Sequence, residues 1–525
     1  MDIIIKNGNK REFMATVIKT IGLLGLESYS IEVQVKIIAG PTTMNIVGLG
    51  DQAVKEAKDR VEAAFDQVDA VFPKKKIIVN LSPSDVKKSG TYFDLPMIIG
   101  LLLESDQLKP KDINMDGLVF LGEVGLTGGL VSFKGIIPMI IEAKRVGYKG
   151  VIIPYDNLPE AEMIEGIELY AFHTLKEVLM WLEGRLNYIK PIRQEAVINR
   201  FESKLDFVDV KGHRHLLRYV VAAAAGAHNM LLVGPPGCGK SMIAKRIPTI
   251  LPDLTEEEAM EVMAIQSISG KRVLEKGTRE RPFRAPHYNS SSNALIGGGI
   301  NALPGEISLA HNGVLFLDEL TEFSKQTIES LRQPLEDRIV TVARVRQTNT
   351  FPSNFMLIAA MNPCKCGYHG DDKCTCSLHD LKVYRQKISG PIYDRMDIQK
   401  YLSKVDFLGK LADSERMSSS EMKSRVTLAR RIQEERFKAH KRIRTNSQMD
   451  TKLAEQFCAL DSECHSFLNN AYEKVRFSAR SYNKILNLAR TFADLDASET
   501  VRVRDLTSAL LGRDLEKSEN TKLDF

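Results

Sequence analysis

One run in this chain has residue types and spacing suited to holding a polyphosphate. Residues 234–241 read Gly-Pro-Pro-Gly-Cys-Gly-Lys-Ser and fit G-x-x-x-x-G-K-[ST] throughout. Gly234, Gly237 and Gly239 let the backbone curl so that successive N–H groups face a β-phosphate, with Pro235, Pro236 and Cys238 at the open positions. Lys240 is expected to reach the β- and γ-phosphates and Ser241 to hold Mg²⁺. Met242 follows in the helix whose N-terminus adds partial positive charge. Two further polar strand ends follow. Residues 313–319 read Gly-Val-Leu-Phe-Leu-Asp-Glu, an apolar strand delivering two carboxylates. Asp318 is expected to bind Mg²⁺ through water, and Glu319 to polarise the attacking water. Residues 355–361 form a third apolar strand ending at Asn362, an amide able to bond a γ-phosphate or orient the water.

These groups need a scaffold, and the flanking sequence supplies one. The strand at 230–233 precedes the glycine-rich run and a helix follows it. Strand and helix signals alternate over residues 206–400, the pattern of a parallel α/β sheet with ligands at its carboxyl edge. Residues 401–512 are rich in Leu, Ala, Lys, Arg and Glu and are expected to be helical, with a polar tail over 513–525. Residues 1–185 read as mixed α/β. Ile31, Val33, Val35 and Ile37 alternate with polar residues, 76–80 and 150–154 are short apolar runs, and 136–146 has helical spacing. Residues 186–205 form a polar linker.

The chain has 525 residues, 43% hydrophobic and 26% charged, with a net charge of +5. That excludes a mainly disordered chain or a rod, and it is too mild to identify a nucleic-acid partner by itself. The start lacks a secretory h-region, and Met14 is an alternative start to Met1. The most apolar stretch, 219–233, is interrupted by His228 and Asn229 and is too short to span a bilayer. A cytoplasmic protein without membrane association is expected. Seven cysteines do not make a disulfide scaffold, and four crowd into 364–376.

The order of phosphate loop, Asp-Glu strand, Asn strand and helical lid resembles an AAA+ ATPase. Residues 281–287 (RPFRAPH), 297–299 (GGG), 304–311 (PGEISLAH) and Asn362-Pro363-Cys364 resemble its magnesium-chelatase-like branch, and within it the ComM/YifB family, over about residues 18–512. The resemblance implies that Arg395, in the segment 389–397, is an arginine finger entering a neighbouring copy's site. It implies that Arg480 is a sensor-2 arginine tying the lid to the nucleotide, and that Val210 and His213 line an adenine pocket. A finger supplied in trans implies a ring, and by resemblance a homo-hexamer.

The N-terminal region is similar to the proteolytic domain of Lon, a Ser-Lys peptidase of the S5 type. The aligned serine position is Tyr92 and the aligned lysine position is Ile137, so the dyad is missing. Ser89 and Lys134 lie nearby, each displaced by three.

Cys364, Cys366, Cys374 and Cys376 form C-x-C-x7-C-x-C, able to close a tetrahedral structural Zn²⁺ site, with His369 a substitute ligand and four reduced thiols the plain alternative. Three basic patches suit sequence-independent phosphate contacts. Residues 271–287 hold Lys271, Arg272, Arg281 and Arg284; a hairpin over 340–346 presents Arg344 and Arg346 beside Arg338; residues 436–444 carry five positive residues and no acid. Solvated charge is the alternative for each.

The expectation is an ATP- and Mg²⁺-dependent motor that translocates on branched or single-stranded DNA, by resemblance a branch-migration helicase in homologous recombination and natural transformation. Its rivals are a chelatase-type motor remodelling a protein partner for metal insertion, an AAA+ protease or unfoldase, and a non-catalytic scaffold.

Overall fold

A computed structural model describes residues 15–190, 205–270, 279–299, 302–343, 348–370, 372–403, 416–440, 443–475 and 477–514. The chain divides into two compact units, one over 1–199 with 263–278, the other over 200–262 with 279–525.

In the first unit, strands Thr16–Leu24, Glu27–Ile38, Lys76–Ser82 and Thr43–Val47 lie side by side in that order; only the last pair is parallel. The alternation read from the sequence is realised: Ile31, Val33 and Val35 are fully buried while Glu32, Gln34 and Lys36 are half-buried. Strands Leu118–Phe120, Gly150–Pro154 and Glu168–Phe172 form a parallel three-stranded sheet. Helix Ile136–Val146 lies between glycines 135 and 147, both left-handed, with Lys144 and Arg145 in its last turn where the helix dipole favours cations. Residues 263–278 belong to this unit although they fall inside the 206–400 stretch of the sequence. Gly135 N–H donates to Ser267 O at 3.2 Å, which ties that segment in.

The second unit is built on a five-stranded, all-parallel sheet. Its order is Phe283–Arg284, Val314–Leu317, Met356–Met361, Met230–Val233 and Ile398–Tyr401. Three inner strands are buried at every position, as expected for strands covered on both faces. Helix Arg214–Gly226 packs against the sheet through a run of fully buried alanines at 222–225. Strands Ile339–Ala343 and Thr348–Pro352 pair as an antiparallel hairpin. Beyond the sheet come helices Ser419–Arg436, Thr451–Phe457, Ser462–Val475, Ala479–Leu495 and Val503–Leu511, the all-helical stretch expected there. Their apolar residues share one core with helix Arg214–Gly226, and helix Ser419–Arg436 adds two hydrogen bonds: Arg430 donates to Ala224 O at 2.8 Å and Gln433 Nε2 to Ala225 O at 3.1 Å. Among the described residues no helix is long and apolar enough to cross a membrane.

Candidate active site

The phosphate-loop sequence stands at the carboxyl end of the inner strand Met230–Val233. Gly237 and Gly239 hold φ values of +78° and +92°, which side chains with a Cβ rarely adopt, so the loop's curl depends on glycine there. Helix Lys240–Arg246 starts immediately after. The register sets the neighbours: Val233 is level with Met361, and Leu317 with Ala359. Gly234, Asn362 and Asp318 therefore emerge at one edge of the sheet.

Side chains close the arrangement. Lys240 is 8% exposed, and its Nζ donates to Gly234 O at 2.6 Å, Pro235 O at 3.0 Å and Asn362 Oδ1 at 3.2 Å. Ser241 Oγ donates to Asp318 Oδ2 at 2.6 Å. Glu319 is exposed beside it, its N–H capped by Asp318 Oδ1 at 3.0 Å. Glu319 holds φ +51°, a conformation unfavourable for a non-glycine residue and typical of functional turns. A hydroxyl touching a carboxylate offers the hard oxygen ligands Mg²⁺ prefers, so Ser241 and Asp318 fit that ion. His213 Nε2 donates to Cys238 O at 2.9 Å, and burial holds its pKa below the usual imidazole range. Val210 is buried three residues earlier. The five polar residues at 240, 241, 318, 319 and 362 come together as expected, with His213 against the loop.

The two arginines lie elsewhere. Arg395 precedes strand Ile398–Tyr401, and its carbonyl accepts from Asn229 Nδ2 at 3.2 Å, just before strand Met230–Val233 begins. It therefore sits at the amino edge of the sheet, about 13 Å along a four-residue strand from the phosphate loop. Its guanidinium pairs not with Asp394 or Asp397 but with Glu336, and Arg480 binds the same carboxylate at 3.0 Å. Glu336 is thus held jointly by Arg480 and Arg395. Glu336 was missed in the sequence, where one acid on helix Arg332–Asp337 carries no signal. Asp397 is committed to the interior. Burial pushes its carboxyl upward, but Lys484 and His228 outweigh this and hold it well below the usual carboxylate range.

The four cysteines meet. All ligand atoms lie within 4.8 Å of one another. Cys364 Sγ is 3.3 Å from Cys366 and 3.9 Å from Cys374, and Cys366 is 3.7 Å from Cys374. A tetrahedron with Zn–S bonds of about 2.3 Å has edges of about 3.8 Å, so the set fits Zn²⁺. Main-chain N–H groups of Tyr368 and Thr375 lower the Cys366 thiol to about 6, favouring the thiolate a metal needs. His369 is not in the group.

Several arginines of the basic patches have partners within the fold. Arg281 is 11% exposed, and its guanidinium binds Glu258 at 2.8 Å, Pro252 O at 2.7 Å and Asn312 O at 2.8 Å. Arg281 and Glu258 form a largely buried ion pair. Arg436 is likewise taken by Asp494, and Arg444 by Glu257 and Glu258. Arg284 pairs with Glu306 at 2.6 Å, and Arg338 donates to Phe355 O at 3.0 Å. Lys271, Arg272, Arg344 and Arg346 lie outside the described residues.

In the first unit, Tyr92 is buried and its hydroxyl accepts from Leu23 N–H at 3.2 Å; Ile137 is fully buried. Neither side chain can serve as nucleophile or base.

Comparison with known proteins agrees with this architecture. The model for magnesium chelatase, subunit ChlI, matches residues 206–408; companion models for subunit ChlI and for its C-terminal part match 33–157 and 416–513. The chain is 38% identical to the uncharacterized protein YifB of Escherichia coli (strain K12), covering 96% of this chain and 97% of that protein. It is 37% identical to the competence protein ComM of Haemophilus influenzae over 93% of this chain and 95% of that protein. The chain belongs to the ComM/YifB family of magnesium-chelatase-like proteins. A shorter likeness, 46% over 59 residues, is to Lon protease 2 of Bacillus subtilis, 11% of each chain.

Proposed function

We propose that this chain is an AAA+ ATPase that assembles as a ring, a homo-hexamer by resemblance, and moves along DNA, driving branch migration in homologous recombination and transformation. The observation that carries the reading is the division of one catalytic set between opposite sheet edges. Lys240, Ser241, Asp318, Glu319 and Asn362 converge at the carboxyl edge, while Arg395 stands at the other. A finger acting on a neighbouring copy's phosphate would stand, like Arg395, away from the loop of its own copy.

In that arrangement Lys240 binds the β- and γ-phosphates, and Ser241 and Asp318 hold Mg²⁺. The ion, when bound, neutralises charge on the phosphate oxygens. Asn362 and Glu319 orient water, Glu319 accepts its proton, and the γ-phosphoryl passes to the water oxygen, giving ADP and phosphate. Arg395 of a neighbouring copy balances the charge that develops. Zn²⁺ at the four cysteines is structural. The first unit is read as a Lon-like domain without peptidase activity, since Tyr92 and Ile137 occupy the dyad positions.

The DNA reading is supported by the competence protein among the relatives. The alternative, a chelatase-type motor acting on a protein partner, is favoured only by the name of the matching family model. A synthetic four-way junction separates them. Wild-type protein is expected to migrate the branch in an ATP-dependent way and Glu319→Gln to fail. No migration, with ATPase activity indifferent to every DNA offered, would leave the protein-remodelling motor.

A further inference from the structure

We propose that metal occupancy of the four-cysteine cluster sets the shape of the phosphate loop, so that nucleotide affinity depends on Zn²⁺ bound some residues away. The inference rests on reading residues 234–241 as the nucleotide site.

The cysteine loop is joined to that site in three ways. Along the chain, Cys364 is 1% exposed and stands two residues after Asn362, whose Oδ1 receives Lys240 Nζ at 3.2 Å. Through packing, the loop leans on the glycine-rich run itself. Gly367 is buried at φ +87°, closed into a turn by its N–H to Cys364 O at 3.0 Å. A Cβ at Gly367 would stand 3.0 Å from Pro236 Cδ and 4.0 Å from Asn362 Cγ. Through a hydrogen bond, Tyr401 OH donates to His369 O at 3.2 Å, and Tyr401 is level with Val233 at the start of the phosphate loop.

The second arm of the cluster is anchored differently. Cys374 and Cys376 lead into Ser377, which caps helix Leu378–Arg385. That helix carries Tyr384, whose hydroxyl receives Thr321 Oγ1 at 2.7 Å, two residues beyond Glu319. The sulfurs therefore join an arm resting on Pro236 and Asn362 to an arm resting beside the Asp318-Glu319 turn. A tetrathiolate zinc holds both arms in one geometry. Without the ion no bond ties the four sulfurs together. The first arm is then no longer held against Pro236, and Asn362 loses its fixed position opposite Lys240.

The test uses full-length protein purified without chelator. Zinc is measured by mass spectrometry, and the affinity for a fluorescent ADP analogue by anisotropy, with thermal melts alongside. Wild type is expected to hold about one zinc per chain. The double variant Cys374→Ser/Cys376→Ser is expected to lose the zinc and bind the nucleotide roughly tenfold more weakly or worse. Gly367→Ala is expected to keep its zinc and still lose affinity, because it presses on Pro236 without touching a sulfur. Chelator-stripped wild type should recover its affinity when Zn²⁺ is returned, which keeps the test valid if the double variant does not fold. Wild type without zinc, or zinc removed with affinity unchanged, overturns the proposal. Nucleotide affinity unaltered in Lys240→Ala would instead overturn the underlying nucleotide-site reading.

Discussion

Arg395 and Arg480 share the carboxylate of Glu336, although 85 residues of sequence separate them. Both are thereby presented at the sheet edge opposite the phosphate loop. The Nε of Arg395 is buried and has no hydrogen-bond partner among the described residues, so its guanidinium is only partly engaged. Arg395 Nη1 also donates to Pro391 O at 2.7 Å, so on the proposed reading Glu336, which is half-exposed, is the contact that a neighbouring copy's phosphate would replace. Glu336→Gln keeps the shape and removes the charge. It is expected to preserve oligomerisation while changing ATPase turnover, measured at saturating ATP, more than nucleotide affinity. Equal turnover in wild type and variant would remove Glu336 from the account.

The Glu319→Gln substitution separates binding from hydrolysis. Glu319 does not contact the loop's lysine, so nucleotide affinity should stay within a few-fold of wild type. ATP turnover should fall by about 10²–10⁴-fold, the range for loss of a general base. A phosphate-release assay beside equilibrium binding checks both halves.

Arg281 gives a prediction of the opposite kind. Its partner Glu258 is buried; burial pushes that carboxyl up, and Arg281 outweighs the effect and keeps it charged. Arg281→Ala leaves buried Glu258 with only the part-exposed Arg444 at 3.2 Å and is expected to cost about 3 kcal/mol in stability. The salt dependence of DNA binding should not change, whereas losing a true phosphate contact would reduce the slope by about one. Urea denaturation and a salt titration of DNA binding decide it.

These arginines mark where the sequence stops being informative. Strands Met230–Val233 and Gly150–Pro154 and helix Ile136–Val146 were legible with their bounds, because short apolar runs and helical spacing are bracketed by Gly, Asn or Pro. The phosphate loop, the Asp318-Glu319 end and Asn362 were legible as separate strand ends, and the parallel register brings them together. Ion pairing was not legible. Arg281 meets an acid 23 residues away, and Arg480 meets one 144 residues away. A cluster of positive letters looks the same whether its charges face water or are neutralised inside the fold. Equally, nothing local shows that residues 263–278 join the first unit.

Asp397 supplies the pH dependence. Its carboxyl is held below the usual range by Lys484 and His228, so its contribution is present above the unfolded carboxylate pKa, near 4. It is lost as pH falls from there toward the lower folded value. Asp397→Asn leaves Lys484 without its counter-charge and should destabilise by about 3–5 kcal/mol at pH 7. The gap between wild type and variant should narrow below about pH 4. Urea midpoints at pH 7 and pH 3.5 measure both; an equal gap at the two values would show that the pair carries no such linkage.

The division of the site between two copies is tested most directly by mixing two inactive variants. Lys240→Ala cannot bind the phosphates, and Arg395→Ala cannot supply the finger. If one site uses residues of both copies, mixed assemblies contain some interfaces with an intact Lys240 facing an intact Arg395. ATPase activity is then expected to reappear on mixing, reaching a sizeable fraction of wild type while each variant alone stays near background. Mixtures that co-assemble yet hydrolyse no more ATP than the separate variants would contradict the account.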